Sequence, residues 1–154
     1  LGEKMKRFQQ LAAVIVVACV AQVAQAQSGI APAKQLFQKY STLENKFDPS
    51  LADLYSDEAL IRNTRRYPDG SNRTIEIPAA KYKELIRSLM PLARALGDRN
   101  RYSYVKYAQE GSKVRITATR YSLRKKYSSP ISLLVGVNDK GEWVILEEIG
   151  ESIP

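Results

Sequence analysis

Apolar residues change their spacing repeatedly along this chain, and each change marks an element. From Leu11 to Ala21 they are continuous. From Pro32 they recur at helical spacing, with Ala33, Leu36, Phe37, Tyr40 and Leu43 on one face. Asp48-Pro49 reads as an N-cap followed by proline at the first helical position, opening a short helix that carries Leu51 and Leu54 and ends near Tyr55. Ala59 to Arg66 has strand composition, Pro68-Asp69-Gly70 signals a turn, and Arg73 to Ile77 resumes as strand. Together they predict a hairpin over 59–77. After Pro78 the helical period returns through Tyr82, Leu85, Ile86, Leu89, Ala93 and Leu96. Pro91 predicts a kink in this helix and Gly97 a C-terminal cap. The rest alternates as strands: Arg101–Ala108, Lys113–Leu123, Pro130–Val137 and Glu142–Ile149, with turns at Glu110-Gly111 and Asp139-Lys140-Gly141. Helices followed by a run of strands predict an α+β fold, with helices on one face of an antiparallel sheet.

The first apolar run has its own logic. Lys6 and Arg7 precede it, and Ala24-Gln25-Ala26 closes it with a small-x-small pattern. Residues 1–26 therefore read as a secretory signal peptide cleaved after Ala26, with Met5 as the start and Leu1–Lys4 outside the natural product. A membrane span needs ~20 apolar residues, so this run is too short for one. The alternative of a buried core helix fits the flanks less well. Val16-Val17-Ala18-Cys19 also resembles a bacterial lipobox, which would anchor the protein by a lipid at Cys19. The residues after Cys19 stay apolar, which favours export as a soluble domain, periplasmic or secreted. Residues 27–31 then read as a linker, and 32–154 as one domain. Cys19 is the only cysteine, so that domain must hold itself together by packing alone.

Charge and composition narrow the chemistry. Lys and Arg number 24 against 16 Asp and Glu, a formal net charge of +8. Apart from Arg62/Arg65/Arg66 and Arg124/Lys125/Lys126 the cations are scattered, so they read as a solvated basic surface rather than a nucleic-acid site. The chain has no histidine, which removes the commonest general base near neutral pH and any histidine-based metal site. No metal or cofactor is expected. Catalysis, if present, rests on Asp, Glu, Tyr, Lys or Arg.

The element order is similar to that of the nuclear transport factor 2-like superfamily, the cystatin-like α+β cone. Asp48-Pro49-Ser50-Leu51-Ala52-Asp53-Leu54-Tyr55-Ser56-Asp57-Glu58-Ala59 resembles that family's entry into its first strand, and Gly141-Glu142-Trp143-Val144-Ile145 its last hairpin. The resemblance implies a curved antiparallel sheet of about six strands wrapped around helices, an exported bacterial member, and pairing through the sheet. The family spans isomerases, dehydratases, cyclases, hydrolases and non-enzymatic binding domains, so fold alone names no activity. The missing histidine excludes the Asp-His dyad of family dehydratases.

Alternation sharpens the site. If the strands on either side of Glu110-Gly111 pair, Val105 and Tyr107 share a face with Val114, Ile116 and Ala118, and Arg120 and Ser122 continue it. In the last strand Val144 and Leu146 lead to Glu148. A charge on a buried face is paired or functional, so Arg120 and Glu148 read either as polar handles of an apolar pocket or as partners of each other. Tyr55 and Tyr82, from the helical side, and Arg62 on the first strand are the other pocket candidates. Tyr102 and Tyr104 fall on the opposite face, as an aromatic platform or as cross-strand packing. Apolar residues on both sheet faces call for two covers: the helices supply one, and a second copy or the early helix wrapping round supplies the other. The resulting expectation is a domain that binds a small polar or anionic ligand in a cone-shaped pocket without catalysis. Two alternatives stand beside it: an isomerase, lyase or hydrolase using a carboxylate-tyrosine pair, and a protein-protein assembly module.

Overall fold

The computed structural model describes residues 29–153; the export segment read at 1–26, with Cys19, lies outside them. Helix α1 occupies 29–46, so Gly29-Ile30-Ala31, read as linker, are already helical. Its stripe buries Ala33, Leu36, Phe37 and Tyr40. Phe47 ends it in the left-handed region at φ 57°, buried beneath the Arg99 guanidinium, whose carbon lies 5.3 Å from the ring centroid. Asp48 then accepts a hydrogen bond from the Ser50 amide at 2.9 Å and starts a 3-10 helix, Pro49–Leu54. Helix α2, Ala79–Leu96, runs unbroken through Pro91, whose ring points to solvent. Gly97 at φ 63° caps it, its amide bonding back to Ala93 and Arg94.

Six strands form one sheet in the order β2-β1-β6-β5-β4-β3. They are β1 Tyr55–Arg66, β2 Asn72–Ile77, β3 Asn100–Glu110, β4 Lys113–Ser122, β5 Ser128–Val137 and β6 Trp143–Ser152. The hairpin expected at 59–77 is present, pairing Ile61 with Ile77 and Arg66 with Asn72, and its first strand reaches back to Tyr55. The sheet is mixed rather than wholly antiparallel, because β1 and β6 lie parallel. No turn joins those two strands, so local sequence carries no instruction about their relative direction.

Irregularities in the ladder redirect side chains and bend the sheet. In β3, Ser103 pairs with Thr119 but Lys106 pairs with Thr117, which leaves one extra residue around Tyr104 at φ 53°. Tyr102 therefore lies opposite Arg120 and packs inward against Phe37 and Tyr40, while Tyr104 is 81% exposed. The aromatic platform read at Tyr102 and Tyr104 does not form. In β6, Val135 pairs with Ile145 but Leu134 with Glu147, so Leu146 is extra and Glu148 shares the core face with Ile145, not with Val144 and Leu146. Ile116, Leu133, Ile145, Val114 and Val135 form the fully buried centre of that face. Ile86 and Met90 of α2 join the same core.

Candidate functional site

Glu148 sits in the middle of the sheet's inner face, between β1 and β5, and is 5% exposed. A lone carboxylate there would be costly, and two phenols attend it. Tyr55, where the 3-10 helix passes into β1, donates its hydroxyl to Oε2. Tyr82, in the first turns of α2, donates to Oε1 at 3.0 Å. The two rings meet edge to face with centroids 5.3 Å apart. Burial pushes the Glu148 carboxyl above its ordinary range, against the hydrogen bonds from Tyr55 and Tyr82 and the charge of Arg120, which all favour ionisation.

A second buried acid faces the same interior. Glu44, near the end of α1, accepts from the Tyr102 hydroxyl at 2.7 Å and the Asn100 side-chain amide at 2.9 Å. Burial raises it as well, opposed by those two bonds and by Arg120, with Glu148 adding to the rise. Tyr40 lies among these groups, and burial, followed by the nearby Glu148, Tyr102 and Glu44, drives its phenol well above the usual range. Two carboxyls thus share one interior with a single guanidinium, an arrangement that favours keeping a proton on the pair.

Arg120 does not pair with Glu148. Its Nη2 donates to the Glu151 carbonyl at 3.0 Å and lies 3.5 Å from Ser129 Oγ. Among the described residues no ion pair links Arg120 to either acid. Of the residues read from sequence, Tyr55, Tyr82 and Glu148 come together and Arg120 stands nearby. Arg62 does not join them. Ile61 takes the inward position on β1, so Arg62 points outward and bonds Glu76 across the hairpin at 2.7 Å. Glu44, Tyr40 and Asn100 were missed as site residues. Glu44 lies four residues beyond Tyr40 and so continues the apolar stripe of α1, a signal that a charged residue there faces inward.

A cleft of about 370 Å³ opens between the end of α1 and α2. Leu85, Leu89, Met90 and Phe47 supply its apolar walls, and Tyr82, Glu44, Asp98 and Asn100 its polar groups. Tyr82 both lines the cleft and bonds Glu148, which is not among the residues lining it. A ligand in the cleft would meet a phenol whose hydroxyl is already engaged by a buried carboxyl, and a second carboxyl held by a phenol and an amide.

No protein-family model and no curated protein matches the chain. Solved structures do resemble it in fold. A nuclear transport factor 2-like protein of unknown function from Pseudomonas putida KT2440 superposes with a TM-score of 0.60 at 8% identity, covering 79% of this chain and 84% of the other. One from Novosphingobium aromaticivorans, described as having a cystatin-like fold, gives 0.51 at 15% identity over 88% and 86%. A Catenulispora acidiphila protein in complex with S-DNPA gives 0.51 at 13% identity over 79% and 91%.

Proposed function

We propose that this chain, which has the nuclear transport factor 2-like cone fold, binds a small, partly apolar molecule in the cleft between α1 and α2. The observation that carries this is the cleft itself: apolar walls from Leu85, Leu89 and Met90 converge on Glu44, Asn100 and Tyr82. Thermal-shift and NMR screening of the domain against metabolites tests it. Hits are expected to move the amides of α2 and Asn100, and Leu89→Asp to abolish them, while Leu92→Asp outside the cleft leaves them intact. Hits that ignore Leu89→Asp would remove the reading.

A second reading has its own support. A buried acid with a raised pKa, in hydrogen-bond contact with two tyrosines, is suited to proton transfer in an isomerase or lyase. Turnover of a cleft ligand that is lost in both Tyr82→Phe and Glu148→Gln would establish it; binding without turnover favours the non-catalytic reading.

The proposal includes export, supported by the basic, apolar and Ala-x-Ala order of residues 5–26. Mass spectrometry of the mature product is expected to show Gln27 as its first residue; a lipidated Cys19 terminus would replace that reading. It also includes pairing of two copies through the outer sheet face, where Leu134, Leu146 and Ile149 are half-buried and Leu60 is exposed.

A further inference from the structure

A smaller recess adjoins the helical cleft. It has a volume of about 180 Å³ and opens where β4 turns into β5, lined by Arg120, Ser122, Lys125, Tyr127 and Ser129 together with Asp98 and Asn100. Asp98 and Asn100 also line the helical cleft, so the two spaces lie on either side of these residues. Their chemistry differs sharply: one is walled by leucine and methionine, the other by cations and hydroxyls.

The donors in the recess are unspent. Arg120 uses Nη2 on Glu151 and Ser129, and among the described residues neither its Nε nor its Nη1 donates to a protein acceptor. Among those residues no fully buried side-chain polar atom lacks a partner, so both groups keep some exposed surface, and Arg120 is one of the residues lining the recess. The buried Ser122 and Ser129 hydroxyls act only as acceptors, from the Lys125 amide at 3.0 Å and from Arg120 at 3.5 Å. Their protons remain available. Lys125 sits exposed on the rim, between Arg124 and Lys126. A guanidinium, two hydroxyls and a rim ammonium converging on an ion-sized space match an oxyanion. Asp98 on the shared wall disfavours negative charge there, and Arg120, which also faces Glu148 and Glu44, is the cation that would hold it.

We propose that the recess binds the oxyanion head, a carboxylate or a phosphate, of a ligand whose apolar body lies in the helical cleft. The proposal rests on the cleft reading for the ligand's body and stands alone for its head. The ligand class is then a small amphipathic anion.

The test titrates the described domain within the full chain with hexyl phosphate, hexanoate, hexanol and inorganic phosphate, by calorimetry and amide NMR. At least one of the two hexyl anions is expected to bind about tenfold or more tightly than hexanol, and their order distinguishes a phosphate head from a carboxylate. Inorganic phosphate is expected to move the amides of Ser122, Lys125 and Ser129. Arg120→Gln is expected to weaken the anions about tenfold and leave hexanol unchanged. Lys125→Ala, on the exposed loop, is expected to weaken them about threefold, and carries the test should Arg120→Gln fail to fold. Hexanol binding as tightly as both anions, or anion binding insensitive to these variants, overturns the oxyanion site and leaves the cleft reading standing. Inorganic phosphate binding without hexanol binding removes the apolar cleft and keeps the head site. Silence from all four probes overturns both.

Discussion

Glu148 shows what a single buried acid demands of its surroundings. Its two oxygens are taken by two tyrosines from different elements, so the carboxyl ties the start of β1, the start of α2 and the centre of β6 together. Tyr82→Phe leaves Oε1 without that donor and is expected to cost about 1–3 kcal/mol in denaturant unfolding. The pH dependence follows from burial. Glu148 and Glu44 both hold their protons more tightly in the folded protein than unfolded. As pH rises through the ordinary carboxylate range the unfolded chain releases these protons first. Stability contributed by the two acids is therefore full below that range and is lost as pH climbs to their raised folded values. Unfolding midpoints measured across mildly acidic pH are expected to fall with increasing pH from this source, and Glu148→Gln is expected to flatten the slope. A steeper slope in the variant would contradict the assignment.

At the scale of elements, the β-bulges decide which side chains meet. Without the extra residue at Tyr104, continued alternation would send Tyr102 outward together with Asn100, two residues before it on the same face, and leave Glu44 without either donor. Deleting Tyr104 is expected to destabilise the domain by about 2 kcal/mol or more, through lost hydrogen bonds and displaced aromatic packing. Tyr104→Gly, which keeps the bulge and relieves its positive φ, is expected to stay within about 1 kcal/mol of the parent. The pair of variants separates the bulge's geometry from the tyrosine's chemistry. Helix α2 is held differently, by Ile86 and Met90 on one side, with Leu89, Leu92 and Leu96 exposed on the other. Ile86→Ala is expected to cost about 2–4 kcal/mol and to widen the cleft.

For the whole molecule, the two sheet faces have separate tasks. The inner face carries the core and Glu148, and Glu44 reaches the same interior from α1. The outer face joins half-buried Leu134 and Leu146 to a charged patch in which Arg115 bonds Glu110 and Glu147. Two copies meeting there would cover the leucines while keeping Arg115 and its acids paired. Light scattering of the full chain is expected to give the mass of a dimer, and Thr117→Arg, an exposed position on β4, to give that of a monomer with an unchanged melting temperature. A monomeric parent would remove the pairing reading.

Element type and order were legible because each element writes its own period. Ala33 to Tyr40 at helical spacing, Asp48-Pro49 at a helix start and the glycines of the tight turns act over a few residues, and their physics is local. The inward placement of Glu148 was likewise legible as a charge at the end of an apolar strand, although the face-mates assigned to it were wrong. The direction of β1 beside β6, the bulges at Tyr104 and Leu146, and the outward turn of Arg62 belonged to the tertiary structure. So did the meeting of Tyr55, Tyr82 and Glu148, and the recruitment of Glu44. Each depends on groups far apart in the chain competing for one small interior, where a buried charge accepts only an arrangement that supplies its hydrogen bonds.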